Sequence, residues 1–170
     1  MDSYDLIVIG AGPGGYVAAI KAAKLGMKTA IVEQGDIGGT CLNRGCVPTK
    51  TLMHSTNFIT EARHMQEAGI SFTDLSLDFN KLIDRKNEVV TKIRGGIEGL
   101  FKANGVKVYK GSAKIISASS VRVSVINEQT CQTGQALQNN QEEQNTIAEL
   151  EAGNILIATG SRPIGVGGLV

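Results

Sequence analysis

The chain has 170 residues, 42% hydrophobic and 19% charged, a composition that suits a globular domain with a sizeable core. Its formal net charge is +1 with no block of like charge, which argues against a nucleic-acid or membrane-surface partner. No apolar run approaches the ~18–20 residues of a membrane span, the N-terminus has no leader pattern, and three cysteines are too few for a secreted disulfide scaffold. These features place the chain in a reducing cytoplasm, or in an organelle matrix if a leader has been removed. The 21 glycines, with 4% aromatic residues and no Trp, suit a domain whose backbone approaches a nucleotide closely.

"YDLIVIG", from Tyr4, is a short apolar run ending in glycine, the form of a strand buried on both faces. "GPGGYVAAIKAAKLG" follows as an Ala-rich helix, with Gly26 placed to end it. "MKTAIVEQ" is a second buried strand. Strand, helix and strand in quick succession make a βαβ unit and a parallel sheet with a right-handed crossover. At the first junction, Gly10-Ala11-Gly12-Pro13-Gly14-Gly15 fits G-x-G-x-x-G. Gly10 permits the tight turn, Gly12 lets a pyrophosphate approach, and Gly15 lets the helix pack on the strand. The helix N-terminus favours the anion through its unpaired N–H groups and dipole. Glu33 closes the second strand, about 20 residues on, where an acceptor for the ribose 2′-hydroxyl is expected. The motif does not separate NAD from FAD.

"GGTCLNRGCVPTK", Gly38 to Lys50, sets two cysteines five positions apart. Cys46 opens a second helix, read over 46–69 with Pro48 near its first turn, and the helix dipole there lowers a thiol pKa. Gly38, Gly39 and Gly45 permit a turn that can bring Cys41 and Cys46 within disulfide range. A zinc site needs two more ligands. His54 and His64 fall mid-helix and read as surface or partly packed residues, and Cys131 is remote. Spacing alone leaves metal, staple and redox roles open.

Further on, "SFTDLSLDFN" is a connection, and residues 80–104 form a long amphipathic helix. Its stripe is Leu82, Ile83, Val89, Val90, Ile93, Ile97, Leu100 and Phe101. "VKVYKG" and "SVRVSV" read as strands of alternating polarity. The Gln/Asn-rich stretch 127–146, with Cys131 as an unpaired thiol, reads as an exposed hairpin tip or loop. "GNILIATG" is expected as another fully buried strand, and "SRPIGVGGLV" as a chain leaving its domain.

"GGTCLNRGCVPTK" resembles the redox-disulfide signature of the flavoprotein disulfide reductases. "GAGPGGYVAAIKAAKLG", Leu42 and Thr49-Lys50 lean towards the branch that oxidises dihydrolipoyl groups, and "NILIATGSRP" is similar to the family's Ala-Thr-Gly segment. The resemblance spans nearly the whole chain apart from the Gln/Asn-rich stretch. It implies an α/β fold: a Rossmann-like FAD-binding domain over residues 1–170, with a central parallel sheet, flanking helices and a small β-meander. Gly10, Gly12 and Gly15 would hold the FAD pyrophosphate and Glu33 the adenosine ribose. Gly39, Thr40 and Cys41 would line the flavin side, with Lys50 near the ring. Main chain from Gly111 to Ala113 would touch the adenine end, although the family often has glycine at Ala113. Thr159, Gly160 and Ser161 would close over the cofactor. Cys41 would be the interchange thiol and Cys46 the thiolate facing the flavin, with no metal.

The same resemblance implies a much longer enzyme. It would use FAD and NAD, work as a homodimer, and act on the lipoyl domain of a 2-oxoacid dehydrogenase complex, with no nucleic acid and no membrane. The NAD-binding and interface domains, including the family's His–Glu pair, have no counterpart in these residues. The chain is therefore expected to be a fragment, inactive in turnover, with part of its apolar surface exposed. A glutathione- or mercuric-reductase-like enzyme using NADPH is the alternative within the family. A stand-alone FAD- or NAD-binding redox sensor is the alternative of another class.

Overall fold

The computed structural model describes residues 2–72, 74–125 and 146–161. Residues 127–145 of the Gln/Asn-rich stretch, with Cys131, and most of the terminal "SRPIGVGGLV" lie outside the described residues. The elements run β1 (Asp2–Ile9), α1 (Pro13–Lys24), β2 (Thr29–Glu33), α2 (Gly39–Asn43), α3 (Cys46–Met65) and α4 (Phe79–Ala103). Then come β3 (Lys107–Lys110), β4 (Ser112–Ile115), β5 (Ser120–Ser124) and β6 (Thr146–Ile157).

One sheet has the order β3-β2-β1-β6-β5-β4. The pairs β3–β2, β2–β1 and β1–β6 are parallel, whereas β6–β5 and β5–β4 are antiparallel. This is the expected Rossmann-like parallel sheet with a meander attached. Because β1 has β2 on one flank and β6 on the other, strand order reverses at its C-terminal end. Open α/β sheets bind ligands at such a crevice.

The period-two alternation of the buried strands sorts their side chains into two cores. Ile7 and Ile9 of β1 and Ala30 and Val32 of β2 join Val121, Val123, Leu150 and Ala152 of the meander. Val8 and Ile31 face the opposite side, with Ala19 of α1, Leu42 of α2 and Ile97 and Phe101 of α4. Helices thus cover one face and the meander folds over the other. The two end strands of the sheet, β3 and β4, are joined in sequence by Gly111, whose N–H donates to the Glu33 carbonyl at 3.0 Å. At the start of β1 the core shared with the meander is closed by Tyr109, which donates to Asp2 (2.8 Å) and meets the Tyr4 hydroxyl (2.8 Å). Burial, then the bonds to Tyr4 and Asp2, push the Tyr109 phenol well above its ordinary value.

Local signals explain the helix ends. Gly26 takes φ 88°, and the N–H groups of Gly26 and Met27 return to the carbonyls of Ala23 (2.9 Å) and Ala22 (3.2 Å), a Schellman end to α1. Asp78 caps α4, its side chain accepting from the Lys81 N–H at 3.1 Å. A Cβ on Gly15 would overlap the Gly10 carbonyl, so α1 can pack on the end of β1 only with glycine there.

Several expectations need correction. "GNILIATG" is not fully buried: Leu156 is 38% and Ile157 63% exposed. Pairing with β5 ends at Glu151, so beyond that point only β1 flanks β6 among the described residues. The strand itself is longer than expected, starting at Thr146 within the meander. The α4 stripe is buried at Leu82, Val90, Ile97 and Phe101 but exposed at Ile93 and Leu100, which lie outside the contact with the sheet. Helix α3 ends at Met65, followed by turns through Gly69. The short α2 and the edge strand β4 were not anticipated.

Phe101 is 1% exposed and Leu100 46%. In urea unfolding, Phe101→Ala is expected to cost about 3–5 kcal/mol, and Leu100→Ala less than about 1 kcal/mol; equal costs would refute the placement of α4. Likewise Gly15→Ala is expected to lose ~2 kcal/mol or more. Gly14→Ala, where a Cβ meets nothing within 4 Å, should be neutral or slightly stabilising by thermal melting.

Candidate active site

Three strand ends are locked together by main chain at the switch point. The Gly10 N–H donates to the Val32 carbonyl at 2.8 Å, and the Ala158 N–H to the Ile9 carbonyl at 2.8 Å. Gly10 takes φ 101°, and a Cβ there would strike the backbone of Ala158. Beside this turn lies a cleft of ≈ 90 Å³ bounded by Gly10, Glu33, Gln34, Ala113 and Thr159. Gly12 differs from Gly10 and Gly15: its Cβ would come no nearer to protein than 3.9 Å. Space is left at the helix end where no side chain caps α1, Pro13 occupies the first turn and no acidic residue stands. Free N–H donors, a positive dipole end and room for a large group are what a pyrophosphate requires.

Glu33 is fixed by two short bonds. Its Oε2 accepts from the Ala11 N–H at 2.6 Å and its Oε1 from the Gly35 N–H at 2.6 Å. The carboxylate therefore braces the glycine turn while lining the cleft, and it has acceptor capacity beyond these two bonds for a further donor such as a sugar hydroxyl. Lys110 donates to the Gly35 carbonyl from the adjoining strand. These residues fit a dinucleotide laid across the ends of β1, β2 and β6.

The disulfide segment is docked directly against this turn. The Gly38 N–H donates to the Ala11 carbonyl at 2.8 Å, and Gly38 and Gly39 take φ 101° and 60°. A Cβ on Gly39 would come within 2.8 Å of Gly12 Cα, so the two backbones touch. Leu42 enters the helix-side core and anchors α2. Cys41 lies in α2, Cys46 opens α3, and the two form a disulfide with their Cα atoms 4.7 Å apart. At the uncapped N-terminus of α3 stands Gly45, where a Cβ would lie 3.2 Å from the Thr40 carbonyl. Cys41 is half-buried and Cys46 exposed.

Most residues expected at the site converge here. Gly10, Gly12, Gly15 and Glu33 form the turn, and Ala113 and Thr159 share its cleft. Gly39, Thr40, Cys41 and Cys46 continue from Gly12. Thr40 donates to the Ser161 carbonyl at 3.3 Å, next to Gly160 at φ 69°. Lys50 stands apart, exposed on the second turn of α3, with no ion pair among the described residues. His54 and His64 are exposed on the same helix. Among the described residues no cluster of His, Cys, Asp or Glu could hold a metal ion, and no helix is long and apolar enough to cross a membrane.

Three residues escaped the sequence reading. Asn43, between the cysteines, donates from its amide to the carbonyls of Asp36 (3.4 Å), Ile37 (3.1 Å) and Gly39 (2.9 Å). Its Oδ1 accepts from Arg94 Nη2 at 2.6 Å, and Arg94 Nη1 lies 3.3 Å from the Asp36 carboxylate. An asparagine in a Gly-rich turn was a usable signal. Arg94 had none, because its contact crosses 51 positions of sequence.

The chain is 46% identical over 160 residues to dihydrolipoyl dehydrogenase of Staphylococcus aureus, covering 94% of this chain and 30% of that protein. It is 44% identical over 160 residues to the dihydrolipoyl dehydrogenase of Geobacillus stearothermophilus, with the same coverage of both. Among solved structures, the flavoprotein disulfide reductase RclA from Escherichia coli, as a Cu(II) complex, aligns with a TM-score of 0.69 and 29% identity. That alignment covers 98% of this chain and 31% of RclA. The chain thus spans about 30% of the length of the curated relatives it matches. The family description "pyridine nucleotide-disulphide oxidoreductase" matches residues 4–168, and with the glycine turn, Glu33 and the Cys41–Cys46 bond in one place, the chain belongs to that family.

Proposed function

We propose that these residues are the FAD-binding, disulfide-bearing N-terminal portion of a dihydrolipoyl dehydrogenase. The observation that carries the reading is the contact of Gly39 with Gly12, which sets a disulfide beside a dinucleotide turn. Gly10, Gly12 and Gly15 would hold the pyrophosphate, Glu33 the adenosine ribose, and main chain at Ala113 the adenine end. Gly39, Thr40 and Cys41 would line the flavin side, Thr159, Gly160 and Ser161 would close over the cofactor, and Lys50, one turn further along α3, would lie towards the ring. Bound there, FAD supplies the two-electron acceptor between the protein disulfide and NAD+.

The thiol chemistry belongs to the chain itself. A substrate thiolate attacks Cys41 Sγ, the Cys41–Cys46 bond breaks, and Cys46 leaves as a thiolate. The N-terminus of α3 stabilises that negative charge and makes Cys46 the better leaving group. The second substrate thiol, deprotonated, then attacks its own sulfur bonded to Cys41, releasing the oxidised cyclic disulfide and the Cys41 thiolate. The exposure of Cys46 leaves a face for the cofactor to cover. In the full enzyme the substrate is a lipoyl domain of a 2-oxoacid dehydrogenase complex. The NAD site and the partner subunit of the homodimer are assigned to further domains of such an enzyme, and its compartment to the cytoplasm, or to an organelle matrix where a leader has been removed.

Flavin titration of the purified chain is expected to show one equivalent of FAD bound. Gly12→Ala is expected to keep the fold and weaken binding by about tenfold or more, its methyl occupying the anion space. Saturable binding of NAD with FAD excluded would refute the reading. Dithiothreitol should expose two further thiols to a colorimetric thiol reagent, and Cys41→Ser should abolish that increment. A longer protein carrying this segment should reduce NAD+ with dihydrolipoamide; turnover of glutathione disulfide or mercuric ion with NADPH in its place would reassign the branch.

A further inference from the structure

Arg94 stands outside the machinery described so far, yet it reaches into the disulfide segment from α4. Its guanidinium bonds Asn43 Oδ1 at 2.6 Å and pairs with Asp36 at 3.3 Å, while its Nε is buried with no partner among the described residues. Asn43 in turn gathers the carbonyls of Asp36, Ile37 and Gly39. Those carbonyls precede Cys41, and Asn43 lies between the two cysteines. The amide oxygen is thus engaged by Arg94 and its NH2 group by the loop. One side chain from a distant helix fixes the backbone that sets the Cys41–Cys46 separation.

We propose that Arg94 is a positioning residue that tunes the reduction potential of the Cys41–Cys46 couple. When the disulfide is reduced, the Sγ–Sγ bond is replaced by two thiols and the covalent clamp across residues 41–46 is gone. What then holds the two sulfurs near one another is the Arg94–Asn43 bond and the turn it supports. Linkage requires reciprocity: a contact that favours the closed loop favours the disulfide by the same factor. Removing Arg94 leaves a looser dithiol, so closing the ring costs more ordering entropy and the disulfide becomes easier to reduce. The ion pair with Asp36 contributes little, because the Asp36 side chain is 59% exposed. The effect is one of geometry and not of net charge. This inference rests on Cys41–Cys46 being a redox couple.

The test is equilibration of the whole chain with glutathione, in which glutathione disulfide and the protein dithiol exchange for two glutathione thiols and the protein disulfide. Trapped thiols are counted by mass spectrometry, with far-ultraviolet circular dichroism to verify folding. Arg94→Met is expected to lower the equilibrium constant by about tenfold, an upward shift of about 30 mV for this two-electron couple. Asp36→Asn should stay within about twofold of the parent chain. Arg94→Lys, which cannot present a fork, should move in the same direction by a smaller factor; it also serves if Arg94→Met does not fold. An unchanged constant in the folded Arg94 variants overturns the proposal, as does an Asp36→Asn shift equal to that of Arg94→Met. If the parent chain itself shows no reversible Cys41–Cys46 exchange, the redox reading of the site fails first.

Discussion

Gly39 and Gly12 bring two turns from different parts of the chain into backbone contact, leaving no room for a Cβ at position 39. Everything proposed for the site depends on that approach. A dinucleotide turn without it would be a generic Rossmann junction, and a disulfide without it would be a small staple on a helix. The contact is reinforced by the Gly38 N–H on the Ala11 carbonyl and by Leu42 in the core. The positive φ of Gly38 and Gly39 lets the chain reverse there at low cost. Proximity of electron donor and acceptor is therefore a property of backbone packing, set before any cofactor chemistry begins.

Much of this was legible in the sequence, because the signals involved are local. The strand–glycine–helix junction, Glu33 at the end of β2 and the cysteines beside a helix start each need only a few neighbouring residues to be read. Continuous apolar runs assigned β1 and β2 to burial on both faces, and the structure sorts Ile7 and Val8 to opposite cores as such a run requires. What escaped is non-local. Arg94 meets Asn43 across 51 positions, and no periodicity announces such a meeting. Helix α2 is a five-residue turn held by tertiary contacts, too short for propensity to reveal. "GNILIATG" misled because composition reports what a strand buries in its complete setting. Among the described residues Ile157 has only β1 beside it.

Electrostatics and packing divide the work at the site. The glycine turn supplies unpaired donors and a dipole, Glu33 supplies a braced carboxylate, and the helix start at Cys46 supplies a setting that favours a thiolate. None of these groups is deeply buried, so none bears a large desolvation cost before ligand arrives. The cores above and below the sheet hold the strand ends in register, and the register sets the distances.

Strand β6 runs for 12 residues, from the meander at Thr146 to the crevice at Ile157. Its first residue pairs with Ser124, so the chain departs from and returns to the sheet at neighbouring points. At ~3.3 Å per residue, that exit lies roughly 40 Å along the strand from the disulfide end. The closure entropy of a polypeptide joining those two residues grows only logarithmically with its length, and its points of attachment stand at the opposite end of β6 from the crevice. The β5–β6 junction is thus a place where the gene can accept insertions, or an experimenter a fluorescent reporter, without rewriting the redox site.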